Sequence, residues 1–201
     1  MQEPQIADDL CAPLAQIMDA RAISERRRVQ LMTSASAATI AHDVHFSGVG
    51  WVWIEGFPQA GKSVFATRLA EELGWAPVIH LDHMTLPMDK QPDSPRYADH
   101  LDRDRIMAVV QSNRSVVIDG VCLQDVVEGM RPDSAMRIYI ARVSSPTTES
   151  LIWHDGIDFL DAEGLAEGTN WLILDTIAYH RRVKPHVNAA HVLLRIEGDT
   201  G

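Results

Sequence analysis

Lysine is nearly missing from this 201-residue chain: Lys62, Lys90 and Lys184 are the only three. With arginine they make 18 basic residues against 28 acidic ones, a formal charge of -10. Such a balance argues against nonspecific binding to nucleic acid or to an anionic membrane. Cysteine is almost as scarce. Cys11 and Cys122 lie far apart and form no CxxC pair, so they read as reduced thiols of a cytoplasmic protein. No apolar run approaches a membrane span. Glu3, Asp8 and Asp9 at the start do not read as a signal peptide. The pairs His42/His45 and His186/His191 lack a cysteine or carboxylate at ligand spacing, and the spacing of His80 and His83, on a strand-to-loop edge, does not place them on one face, so no zinc site is expected. The nucleophile elbow Gly-x-Ser-x-Gly is absent, which removes one hydrolase class. Asn-Lys-x-Asp is absent too, since Lys90 follows Asp89 and Lys184 follows Val183. That excludes a switch GTPase.

Against these absences stands one full pattern. Gly56-Phe57-Pro58-Gln59-Ala60-Gly61-Lys62-Ser63 matches the phosphate-binding loop G-x-x-x-x-G-K-[ST]. Two glycines let the backbone curl until successive N–H groups form an anion nest. Lys62 is expected as an exposed charge aimed at the β and γ phosphates, and the Ser63 hydroxyl as a ligand of Mg²⁺. The next helix, from Val64, points its positive end at the same place. The context fits: Trp51-Val52-Trp53-Ile54 reads as a strand. Val64, Phe65, Leu69, Ala70 and Leu73 recur at helical spacing, and Gly74 stands at the C-cap.

Apolar runs at 51 to 54, 77 to 81, 115 to 118, 136 to 140 and 191 to 196 alternate with helical stretches. The helical stretches lie near 62 to 73, 101 to 112, 146 to 161 and 169 to 183. This alternation predicts an α/β fold, a parallel sheet covered by helices, over residues 46–201. Residues 1–45 read as a helical extension. Ile6, Leu10, Leu14, Ile17 and Met18 form an apolar stripe, and Ser24 with Arg26-Arg27-Arg28 opens a second helix running to about Ala41. The small residues 34 to 38 within it suit close packing.

Ligands bind at the carboxyl ends of parallel strands. Asp82 follows the second run and is placed to accept a proton or to hold Mg²⁺ through water, with His83 beside it. Asp119 follows the third run, where a carboxylate orients the metal. The polar stretch from Pro92 to His100 reads as a loop for a second substrate, gripped by Arg96, Tyr97 and Asp99.

Together these residues resemble the small P-loop kinases of the uridine kinase, phosphoribulokinase and pantothenate kinase group. The matching stretches are Gly56 to Ser63, Val78 to His83, Ser94 to Asp99, Val116 to Val121 and Tyr179 to His191. The resemblance spans about residues 48 to 196. It implies a three-layer α/β/α sandwich with a five-stranded parallel sheet, Mg-ATP, and phosphoryl transfer to a hydroxyl. It makes Asp82 the acceptor-side base and gives Lys62 and Ser63 the nucleotide. Two departures stand out. The third strand ends in Asp119-Gly120 where the group has Glu-Gly. Residues 143 to 170, the lid segment, hold no arginine or lysine but carry Glu149, Asp155, Asp158, Asp161, Glu163 and Glu167. Arg142, Arg181 or Arg182 is then expected to offset phosphoryl charge, or the acids face a cationic acceptor. An ATP-dependent small-molecule kinase is the expectation. A nucleotide-binding regulatory module and a nucleoside triphosphate hydrolase stay open. The expected partner is a small-molecule acceptor; nucleic acid and membrane are not expected, and a homodimer is allowed.

Overall fold

Each short β-branched or aromatic run is too apolar to face water on either side, so it becomes a strand buried on both faces. The computed structural model describes residues 28–33, 35–127, 130, 135–143 and 170–196. In chain order the main elements begin with β1 (Arg28–Leu31), α1 (Ser36–Ser47), β2 (Trp51–Glu55) and α2 (Lys62–Leu73). They continue with β3 (Val78–His80), α3 (Arg103–Gln111), β4 (Val116–Gly120), α4 (Leu123–Val127) and β5 (Met136–Val143). The last are α5 (Trp171–Val183), α6 (Pro185–Asn188) and β6 (His191–Ile196). Short 3₁₀ turns at Leu81–His83, Met88–Lys90 and Tyr97–His100 fill the path from β3 to α3.

The six strands form one sheet in the order β1-β6-β5-β2-β4-β3, and every neighbouring pair is parallel. Side chains alternate across the strands and so build two cores. Val52, Ile54, Val117, Ile138, Ile140 and Leu193 pack with Ile40 and Val44 of α1 and Phe65 and Leu69 of α2. On the other face Trp53, Ile79, Val116 and Ile118 pack with Ile106 of α3, Leu123 of α4 and Tyr179 of α5. The result is the helix–sheet–helix sandwich expected. All five expected strands are present.

The sixth strand corrects the reading of the N-terminal region. The predicted helix from Ser24 to Ala41 is not formed over Arg28–Leu31, which pairs in register with His191 to Leu194 of β6. Tertiary strand pairing overrides local helix propensity here. The helix begins only at Ser36, after a turn in which the Thr33 N–H donates to Ser36 Oγ at 2.9 Å. Within the small-residue stretch Ser36 and Ala37 are buried while Ala35 and Ala38 face solvent, and Ala37 lies with Ala41 in one cluster with Ala66 and Ala70 of α2. His191 Nε2 of β6 also reaches Asp43 Oδ2 of α1 at 3.5 Å. Residue 45 falls inside α1. The apolar stripe at residues 6 to 18 and the acidic segment at 144–169 lie outside the described residues.

Three strands run further than the apolar runs suggested. β2 takes in Glu55, β4 takes in Asp119 and Gly120, and β5 takes in Arg142. β2 sits between β4 and β5, so the chain turns to opposite sides after it. The crevice at that switch point lies at the carboxyl end of β2, where the phosphate loop begins.

Candidate functional site

The loop departs from Glu55 and enters α2 at Lys62. At Gly56 a Cβ would stand 2.2 Å from the Ile140 carbonyl oxygen, so only glycine fits against β5. Gly61 caps α2 at φ +93°, a left-handed conformation costly to other residues. Gln59 is exposed at the tip and Ala60 buried beneath it. Lys62 is not the exposed charge expected. It is 6% exposed and its Nζ donates to the Phe57 carbonyl at 2.7 Å, folding the side chain back across the loop. Ser63 and Val64 remain exposed on the first turn of α2.

Phe57 fixes the loop to α5. Its ring lies 4.4 Å from that of His180, which is fully buried. His180 Nδ1 donates to the Thr176 carbonyl at 2.7 Å, so Nε2 accepts from the Tyr139 hydroxyl at 2.9 Å. Burial pushes the His180 pKa down to about 3, and the ring is neutral at physiological pH.

Ser63 and Asp119, the two residues assigned to metal from the sequence, meet directly. Ser63 Oγ donates to Asp119 Oδ2 at 2.7 Å. The other oxygen, Oδ1, pairs with His80 Nδ1 of β3. Asp119 is 2% exposed and held from both sides. A hydroxyl and an oriented carboxylate are oxygen donors of the kind Mg²⁺ takes, so this pair fits the ion. His80 would act behind them by orienting the carboxylate.

The residues expected on the acceptor side lie beyond β3. Asp82 is exposed, and its Oδ1 accepts from the Tyr97 hydroxyl at 2.8 Å. Tyr97 is itself 5% exposed, and its N–H donates to Asp175 Oδ2 of α5 at 2.7 Å. Burial, then Asp82, pushes the Tyr97 phenol above its ordinary range, so it stays a donor. His83 is exposed, and its carbonyl accepts from Arg105 Nη1 at 3.3 Å. Asp99 accepts from Ser94 Oγ at 2.7 Å within the loop.

The arginines divide. Arg182 Nη2 donates to Asp125 Oδ2 at 2.6 Å, and Arg96 Nη2 reaches the same oxygen at 3.5 Å. Asp125 thus ties the 94–100 loop to α5. Arg181 is exposed on α5. Arg142 shares the parity of Ile138 and Ile140, so it belongs to the α1–α2 face with the phosphate loop, away from Asp82 and Tyr97.

Sequence reasoning passed over Glu55, Asp175 and Arg195. Glu55 closes an otherwise apolar strand, which was its signal. The Leu123 N–H donates to its Oε1 at 2.8 Å. Burial raises its pKa to about 7 against the opposing pull of the Tyr179 hydroxyl, that N–H, Arg137 and Lys62. The cavity that Glu55 shares with Trp53 and Arg137 measures only about 10 Å³, room for about one water and no substrate. Asp175 had no local signal, because only the fold brings α5 to Tyr97. Arg195 sat within an apolar run that read as a strand, and it does lie in β6.

No protein-family model matches the chain, and no curated protein matches it in sequence. The solved structure of a possible uridine kinase from Bacillus stearothermophilus is similar over 92% of this chain and 99% of that one. The identity is 13% and the TM-score 0.45. At that score the likeness carries no weight, and the fold stands on its own strand order. Among the described residues no helix is long and apolar enough to cross a membrane.

Proposed function

We propose that this chain is an ATP-dependent kinase that passes the γ-phosphate to a hydroxyl of a small molecule. One observation carries the reading: the phosphate loop joins its Ser63 to a buried, His80-braced Asp119, and a Tyr97-bound carboxylate, Asp82, stands exposed at the end of the neighbouring strand. The nest from Gly56 to Val64 would hold the triphosphate, and Lys62 would exchange the Phe57 carbonyl for a phosphate oxygen. Mg²⁺, when bound at Ser63 and Asp119, supplies charge neutralisation along the phosphates. Asp82 takes the proton from the acceptor hydroxyl. The freed oxygen bonds to the γ-phosphorus as the bond to the bridging oxygen breaks, and ADP leaves. Tyr97 orients Asp82, and His83 and Arg96 line the acceptor side.

A second reading has its own support. Arg96 and Arg182 are both turned to Asp125, so neither is aimed at a transferring phosphate. That favours a nucleotide-binding module with little transfer. ADP release against pooled nucleosides, sugars and amino-alcohols separates the readings. Acceptor-dependent release supports the kinase. Release without any acceptor supports a hydrolase, and Mg-ATP binding with no release supports the module.

A further inference from the structure

We infer that Arg195 is a second cationic group of the phosphate loop, contacting the polyphosphate of the bound nucleotide from the β6 side. This rests on the nucleotide-binding reading above and extends it to a residue outside the loop pattern. Arg195 stands near the carboxyl end of β6, where parallel strands present ligand-binding groups. Its Nη1 donates to the carbonyl of Gln59 at the loop tip, at 3.4 Å. The same nitrogen is 2.9 Å from the point a Cβ on Gly61 would occupy, so the missing side chain of Gly61 is what admits the guanidinium.

Three facts point to an anion as its purpose. The 3.4 Å contact is long for a charged donor to a carbonyl, and a guanidinium has five donors to fill. Among the described residues no carboxylate pairs with Arg195. Its cross-strand neighbour in the sheet register is Arg142, so a like charge stands directly beside it. Like charges at paired positions destabilise a sheet, and an anion bound at the loop offsets that. In a chain whose 143–170 segment has no arginine or lysine, a cation delivered from the sheet supplies charge that the segment cannot.

The test measures Kd for Mg-ATP and for inorganic tripolyphosphate with the full chain and two variants. Arg195→Gln keeps a donor for the Gln59 carbonyl and loses the charge; Arg195→Lys keeps the charge. Arg195→Gln is expected to weaken both probes by about 10- to 100-fold while the unliganded melting temperature holds. Arg195→Lys is expected to recover most of that loss. Unchanged affinity in Arg195→Gln overturns the inference and leaves the loop reading standing. So does a loss for Mg-ATP alone, which would place Arg195 on the base. An equal loss in both variants would give Arg195 a shape role only, and also overturns it. A wild-type chain that binds neither probe ends the nucleotide reading itself, and this inference with it.

Discussion

Lys62 closes the loop on the Phe57 carbonyl. On the function proposed above, its ammonium would turn from that carbonyl to a phosphate oxygen. Lys62→Ala is therefore expected to abolish stabilisation by Mg-ATP, which in the wild type should reach about 2.7 kcal/mol at 100-fold excess over Kd. The unliganded variant should also lose about 1 kcal/mol, because the Phe57 carbonyl loses its donor. Melts with and without Mg-ATP read both, and an equal shift in the variant would remove Lys62 from the site. Asp82→Asn keeps an acceptor for the Tyr97 hydroxyl, so stability should hold while turnover falls by about 10²- to 10⁴-fold. If Asp82 only caps its turn, turnover per folded molecule persists. Glu55 offers a third test. Its folded pKa of about 7 lies above its ordinary 4.5, so between those pH values the folded chain keeps a proton that the unfolded chain has lost. Stability then falls as pH rises through this window, by up to about 1.4 kcal/mol per unit, and the loss is complete above it. Glu55→Gln should flatten that slope and melt no lower than wild type at pH 8. Denaturation midpoints from pH 4.5 to 8 decide it.

At the scale of elements, the strands legible in the sequence were those with a run of apolar residues between turns. Each is buried on both faces, and such burial leaves a local trace. β1 left none, because its four residues become a strand only by pairing with β6. The loop residues were legible for the opposite reason: their chemistry is consecutive, and Gly56 to Ser63 can be read without a fold. Asp175 and Arg195 were not, since each acts across a long sequence separation on Tyr97 or Gln59. The burial of Lys62 escaped because the pattern names its ligand and not its resting partner. The small-residue stretch in α1 was read correctly as a packing surface, and it supplies a prediction. Ala37 is 0% exposed within the cluster that holds Ala66 and Ala70, while Ala38 faces solvent. Ala37→Leu should cost about 1–3 kcal/mol by overpacking, and Ala38→Leu should be nearly neutral. Equal midpoints for the two would mean that α1 is a loosely attached extension.

Across the whole molecule charge is mixed on both faces of the sheet. The α1–α2 face carries Lys62, Arg142 and Arg195 together with Asp119. The opposite side sets Arg96 and Arg182 against Asp125, and Arg137 against Glu55. The chain as a whole carries -10, so its long-range field repels anions and attracts cations. On the proposed reading a nucleotide would be insulated from that field, held at close range by backbone N–H groups and adjacent cations. An acceptor approaching from solvent is not. If it bears an amine, its KM should rise with ionic strength, because salt screens attraction beyond about 8–10 Å. A neutral acceptor should show a flat KM, and an anionic one should bind better as salt rises. A flat KM is the expected outcome, since a run of charges is more often a solvated surface. Changing Glu149, Asp155 and Asp158 to their amides gives an independent check, since those acids lie in the segment that lacks arginine and lysine. Weaker binding of a cationic acceptor with unchanged Mg-ATP affinity would show that the acids select the acceptor. An unchanged acceptor KM would make them a solvated surface, and specificity would then rest on Asp82, His83, Arg96 and Tyr97.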